Sequence, residues 1–320
     1  MRRYLPRPLL PSSTTFIQRV PRHMRCISTP SGKDEPGTTA SLNPRWLSDV
    51  KARIGKCINF GLRTEQTQEA CLILEEIAKD WRHLLAGSEG FLTDKNRIGL
   101  FRQEVVWGEM VLAPPATNIG STAANGLPRF WYLLALDVTT SKQPLTCVTG
   151  HVNNVVYNRY AESARVNWGL NYGALDPANK KQWLELMTPR SIGLILRSIK
   201  TDYKFPMKYP DRVTVLHKLR NMPEADTDHF ILDVLILSEL HQRPAARCIE
   251  DIVVYDYKAA RKSPLKPFMV DKFRETFELQ EQAKSIYGNR VTELLKRTRE
   301  LEKVSWDRVD AVEDMGPANA

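Results

Sequence analysis

The chain of 320 residues is 42% hydrophobic, carries 46 Lys and Arg against 37 Asp and Glu, and holds five Cys. That is apolar enough for one large or two small packed domains, and it excludes a disordered chain. No run approaches the roughly 18 apolar residues of a membrane-spanning helix, and five Cys without paired short spacing exclude a disulfide scaffold and a zinc ribbon.

The charge is concentrated at one end. Residues 1–33 hold seven basic residues (Arg2, Arg3, Arg7, Arg19, Arg22, Arg25 and Lys33) and no acid. The rest of the chain is nearly neutral, so a nucleic-acid partner is not expected. An Arg-rich, Ser/Thr-bearing leader without acids predicts a mitochondrial transit peptide over 1–33 and a matrix location. The stretch Arg25-Cys26-Ile27-Ser28 resembles a matrix-protease cleavage context. A basic tail without an address is the alternative. Residues 34–42, rich in Thr, Gly and Pro, read as a linker.

Residues 43–112 read as a helical N-terminal extension. Asn43-Pro44 places a cap before a first-turn Pro, and Trp46, Val50, Ile54, Cys57 and Ile58 follow at helical spacing. A second helix runs from Thr64 through Leu74, Ile77, Trp81 and Leu84–Leu85 to Gly87. His83 on it reads as a packing residue. Residues 113–128 are a long Pro- and Asn-bearing loop. Strands are then expected at Phe130–Val138, Ile192–Tyr203, Arg212–Leu219, Phe230–Ser238 and Arg247–Tyr257. Their alternation suits an antiparallel sheet with one face buried. One long helix interrupts them: Val156, Tyr160, Ala164 and Trp168 recur every four residues, with Asn153 or Asn154 as the cap. The order over residues 129–262 is therefore β-α-β-β-β-β. Residues 263–320 read as a helical C-terminal extension with Phe273, Phe277, Tyr287, Val291, Leu294, Leu295 and Leu301 on one stripe.

The segment that carries chemistry is Thr149-Gly150-His151-Val152-Asn153-Asn154-Val155-Val156-Tyr157, followed by Glu162 and Ala164-Arg165. Gly150 frees a sharp turn between strand and helix. His151 and two Asn then stand at the helix N-terminus. The first backbone N–H groups of a helix have no internal partner and can polarise a carbonyl and hold the oxyanion that forms on attack. A His beside them can bind the substrate or relay a proton. Such an arrangement suits hydrolysis of a thioester.

Gly150-His151-Val152-Asn153-Asn154-x-x-Tyr157 with Glu162-x-Ala164-Arg165 resembles the signature of hot-dog-fold thioesterases of the 4-hydroxybenzoyl-CoA thioesterase type. Plant acyl-carrier-protein thioesterases share its His-Val-Asn-Asn core. The leader, extra helices and this domain together are similar to fungal thioesterase-like proteins, some of them tied to secondary-metabolite pathways. The resemblance implies an α+β hot-dog domain, a long helix wrapped by a curved antiparallel sheet. It implies an acyl-CoA or acyl-carrier-protein substrate in fatty-acyl or secondary metabolism, and a homodimer or higher homo-oligomer. No cofactor and no metal is implied. His151 and Asn153 fall at catalytic positions, and Gly150, Val152, Asn154 and Tyr157 at substrate-binding ones.

The chain departs from that pattern where the family's catalytic Asp stands, three residues before the Gly; here the residue is Cys147. Thr149 replaces the Asn of the plant enzymes. Four readings stay open. Another carboxylate substitutes: Glu162 is a candidate, though an i,i+3 pair with Arg165 is the favoured role for it, and Glu185 and Asp137 are unplaced. Cys147 attacks with His151 as base, against the blander reading of an inert small residue. His151 alone orients water. Or the domain binds acyl groups, or serves as a structural mitochondrial subunit, without turnover. His217, His229 and His241 share no metal-ligand spacing and read as structural. Trp131, Tyr132 and Trp168 read as core. Arg190, Arg197, Lys200 and Lys204 could meet coenzyme A phosphates, with solvated strand ends as the alternative.

Overall fold

A computed structural model describes residues 45–110, 150–224 and 226–312. The leader, the linker, the expected strand at Phe130–Val138, Asp137, Trp131, Tyr132 and Cys147 lie outside the described residues. Residues 43–320 form one compact unit. Among the described residues no helix is long and apolar enough to cross a membrane.

Helix α1 (Trp46–Asn59) and α2 (Thr64–Arg82) stand where the apolar spacing places them. Trp46, Leu47, Val50, Ile54 and Cys57 are buried, whereas Ile58 is 51% exposed. Arg45, not Asn43, occupies the cap position of α1. A π-turn, His83–Gly87, continues α2. His83 stacks on Tyr287 at 5.6 Å between ring centroids and is hydrogen-bonded to Thr93, a packing role.

The segment read as wholly helical also contains a strand, β1 (Leu100–Glu104), hydrogen-bonded into the sheet. Four of its five residues are exposed, so it has no hydrophobic period to reveal it. Its approach to the long helix needs a glycine. A Cβ on Gly99 would sit 2.5 Å from the Ala164 carbonyl oxygen. Asn167 Nδ2 donates to Gly99 O at 2.9 Å and closes the contact.

Helix α3 (Asn154–Leu175) follows, then the short α4 (Lys180–Glu185), β2 (Ile192–Tyr203), β3 (Arg212–Leu219), β4 (His229–Ser238), β5 (Arg243–Asp256), β6 (Arg261–Lys262) and α5 (Pro267–Val304). The strands form one antiparallel sheet in the order β1-β3-β4-β5-β2, with β6 beside β5. The α+β class and the antiparallel sheet agree with the sequence reading. On one face Val213, Val215, Val234 and Ile236 pack against Val156, Tyr157, Tyr160 and Ala164 of α3. Farther along α3, Trp168 and Tyr172 pack with Trp183, Phe230 and Phe273.

The expectation of one buried face fails at the centre of the sheet. Val213 through His217 are all buried. Leu216, Leu235 and Leu237 on the opposite face meet α1, α2 and the distal half of α5. Helix α5 spans 38 residues, about 57 Å at 1.5 Å per residue. It reaches from the Trp168 cluster to the outer helical layer. Midway, Gln280 donates from Nε2 to Leu219 O and accepts from Leu219 N–H, both at 2.9 Å. Both backbone groups at the end of β3 are thereby satisfied.

Ion pairs hold the outer layer. Arg297 reaches Glu69 and Glu76, Arg290 reaches Glu76 and Asp80, and Arg53 donates to both oxygens of Glu302 at 2.5 and 2.9 Å. The hydrogen bond from Arg53 holds the Glu302 carboxyl below the usual range, against the opposing effect of burial. A carboxyl lowered in the folded state contributes stability above its unfolded value, near about 4.3, and loses it as pH falls through the folded value. Glu302→Gln is therefore expected to cost about 1–3 kcal/mol at neutral pH. The thermal-midpoint gap between the variant and the parent should shrink below about pH 4. A gap that stays constant from neutral pH to pH 3 would contradict the assignment.

Candidate active site

Gly150 has φ +59°, a left-handed conformation that favours glycine. The turn it makes delivers His151 and Asn153 to the start of α3. Val152 anchors the turn: fully buried, it donates its N–H to Met207 O at 2.8 Å and pairs antiparallel with Met110. Asn153 is the cap, with its Oδ1 accepting from the Val155 N–H at 3.1 Å. Its own N–H donates to Glu109 O at 2.9 Å. The Val156 N–H is taken by Asn153 O. Among the described residues nothing accepts from the Asn154 N–H. This backbone donor is left without a partner among the described residues at the helix start, where unsatisfied N–H groups and the helix dipole favour negative charge.

His151 is half-buried, and its Nδ1 lies 3.0 Å from Val152 O. A carbonyl only accepts, so Nδ1 donates, and in the neutral ring Nε2 keeps its lone pair. That nitrogen can take a proton from water or a thiol.

Tyr157 is buried, with its hydroxyl committed in both directions. It donates to Phe205 O at 3.3 Å and accepts from the Met207 N–H at 3.0 Å. Burial raises its pKa. It clamps the first turn of α3 to the strand-connecting segment. Gly150 and Asn154 reach the surface, whereas Val152 and Tyr157 belong to the core beneath. Tyr203 donates to Asn154 O at 3.2 Å and packs edge-on to Tyr157.

The carboxylate candidates fare differently. Glu162 is exposed on α3. The pair expected between it and Arg165 is not formed. Arg165 Nη1 instead donates to Glu250 Oε1 at 2.7 Å. The side chain of Glu250 is fully buried, and a buried carboxylate without a cation is far costlier than a solvated one. Glu185 lies on α4, which folds back against the C-terminal part of α3, with Leu184 against Gly173 and Met187 against Gly169. Gly169 itself is about 22 Å along the helix from its start at Asn154. The residue that sequence reasoning missed is Glu109, on a 3-10 turn (Trp107–Glu109) after β1. It sits 44 positions before Asn153 in the chain, and no spacing rule links them; the Asn153–Glu109 hydrogen bond and the Met110–Val152 bridge do.

The remaining candidates are structural. The side chain of His217 is buried and lies 6.2 Å from the Trp168 ring. His229 is hydrogen-bonded to Asp228, and His241 packs on Phe205. Arg197 pairs with Asp251, and Lys204 lies 3.9 Å from Asp202. Burial pushes the Cys248 thiol up to about 11. Among the described residues no group of three or more His, Cys, Asp or Glu could hold a metal ion. Exposed apolar side chains stand on the helix start and on the Glu109 segment bonded to it: Val106 is 52% exposed, Trp107 45% and Val155 64%.

Comparison with solved structures finds thioesterases. A thioesterase from Thermus thermophilus complexed with coenzyme A and Zn is 21% identical, with 41% of this chain and 84% of that one covered at a TM-score of 0.32. A 1,4-dihydroxy-2-naphthoyl-CoA thioesterase from Synechocystis is 18% identical, with 39% and 85% covered at 0.32. A DHNA-CoA thioesterase from Staphylococcus aureus is 15% identical, with 44% and 85% covered at 0.32. No curated protein matches the chain in sequence. Residues 137–273 match the family model of the thioesterase-like superfamily, a stretch that holds the helix-start residues 150–154 and begins downstream of β1 and Glu109.

Proposed function

We propose that the chain hydrolyses acyl thioesters carried on coenzyme A or an acyl carrier protein, on a hot-dog fold of the 4-hydroxybenzoyl-CoA thioesterase type. The observation that carries this is the turn at Gly150–Asn154, which brings a His151 lone pair and an Asn154 N–H without a partner among the described residues to one helix start. The N–H polarises the thioester carbonyl and holds the oxyanion. His151 handles the proton. The exposed Val106, Trp107 and Val155 offer apolar contact to an acyl or aryl group. Release of free thiol from acyl-CoA by the purified full chain tests the reading. A second reading, an acyl-binding or structural module without turnover, is favoured by Cys147, which stands where the family carries its attacking carboxylate.

The assembly we infer is a homodimer. The 12-residue strand β2 pairs with β5 on one side, and its other edge is open among the described residues. Long open edges invite pairing, and a second copy would cover this one. Light scattering at micromolar concentration is expected to give at least twice the chain mass; the mass of a single chain would contradict it. The acid-free leader supports import into the mitochondrial matrix. Terminal sequencing of the native protein is expected to find a start between Cys26 and Lys33, and a mature chain that keeps Met1 would refute import with cleavage.

A further inference from the structure

We propose that Glu109 supplies the carboxylate of this active site, brought in from the segment after β1 rather than from the residues just before Gly150. The proposal rests on the thioesterase reading above. Two backbone contacts stitch the segment to the helix start. Asn153 N–H donates to Glu109 O at 2.9 Å, and Met110 pairs antiparallel with Val152. The backbone of Glu109 is thereby held about one strand spacing, some 5 Å, from that of Val152 and Asn153.

The side chain is fixed as well. Oε2 accepts from the Val106 N–H at 3.0 Å and from the buried Tyr160 hydroxyl at 2.5 Å. Both bonds fall on one oxygen. Among the described residues Oε1 receives none, and no Lys or Arg forms an ion pair with Glu109. Burial and the neighbouring carboxylate both push the Tyr160 pKa up, so its hydroxyl stays protonated and remains the donor. The result is a half-buried carboxylate with one oxygen locked and the other without a partner among the described residues, on a segment tied by its backbone to the turn that carries His151 and Asn154.

The step follows from that placement. Glu109 Oε1 takes a proton from a water molecule as the water oxygen bonds to the thioester carbon. The carbonyl electron pair moves onto its oxygen, at the Asn154 N–H. Collapse re-forms the carbonyl and breaks the carbon–sulfur bond, and the proton passes through His151 Nε2 to the leaving thiolate. The products are a carboxylic acid and a free thiol, with no redox change.

A purely structural Glu109 would accept from the Val106 N–H and the Tyr160 hydroxyl and do nothing more. Glutamine can do that, so Glu109→Gln separates the two roles. With the full chain and a substrate that the parent hydrolyses, Glu109→Gln is expected to lose about 10²–10⁴-fold in kcat, with KM and the thermal midpoint near parent values. Added formate is expected to restore part of the rate to Glu109→Ala. Parent-level kcat in Glu109→Gln would overturn the proposal and leave the thioesterase reading standing. Should Glu109→Gln lose activity and stability together, formate decides: rescue of Glu109→Ala upholds the proposal, and failure of rescue overturns it. A parent chain without hydrolysis on any acyl-CoA overturns the thioesterase reading, and this assignment with it.

Discussion

Replacing Arg165 with alanine is expected to lower the unfolding free energy by about 3–5 kcal/mol, the range seen when one partner of a buried pair is removed. The Glu250 side chain is fully buried and that of Arg165 is 15% exposed, with 2.7 Å between Nη1 and Oε1. The other Glu250 oxygen lies 3.6 Å from His217 Nε2, and that contact is no hydrogen bond. Arg165 is therefore the main compensation for the charge. Without it, the carboxylate is left between α3 and β5 with nothing to offset its desolvation. Glu250→Gln should cost less than Arg165→Ala, because it removes the buried charge itself. Denaturant midpoints at unchanged m-value measure both. A loss below about 1 kcal/mol in Arg165→Ala would place the pair with ordinary surface ion pairs and contradict its role in the core.

His151→Ala is expected to leave the fold intact and to cut kcat by about 10²–10⁴-fold. The ring is half-buried, and its hydrogen bond among the described residues goes to the carbonyl of its own neighbour. Little stability depends on it. What disappears is the lone pair at the helix start. Asn153→Ala should behave in the opposite way. It removes the cap on the Val155 N–H, at about 1 kcal/mol of stability, and should reduce the rate less, since the Asn154 N–H remains. Thermal melts and steady-state kinetics on both variants separate the two effects. Equal rate losses would mean that His151 acts through the helix start rather than on the substrate.

The sequence was most legible in the bounds of elements, where apolar runs are flanked by turn and cap residues. The bounds of β2 and β3 match their expected ranges, and the cap of α3 is one of the two Asn named for it. It was least legible where burial comes from a distant element. Leu216 and Thr214 are buried because α1, α2 and α5 cover the second face of the sheet, which no strand pattern announces. Strand β1 escaped because an edge strand with exposed residues has no period. Arg165 read as the partner of Glu162 because helical spacing is visible in sequence. Glu250, 85 positions away and the actual partner, is not. At the candidate site, the motif treats its residues alike, whereas the structure separates them. Val152 and Tyr157 hold the turn from beneath, while Gly150, His151 and Asn154 reach solvent. Glu109 needed the fold itself, since the Asn153–Glu109 hydrogen bond and the bridge between Met110 and Val152 bring it there.

Turnover of thioesters at this helix start is read out by thiol release from a panel of acyl-CoA substrates of increasing chain length, measured on the full chain, His151→Ala and Cys147→Asp. Saturable release by the parent is expected on at least one chain length, with a fall of about 100-fold or more in His151→Ala. Saturable acyl-CoA binding by folded protein, with no thiol released by either the parent or Cys147→Asp, would contradict it.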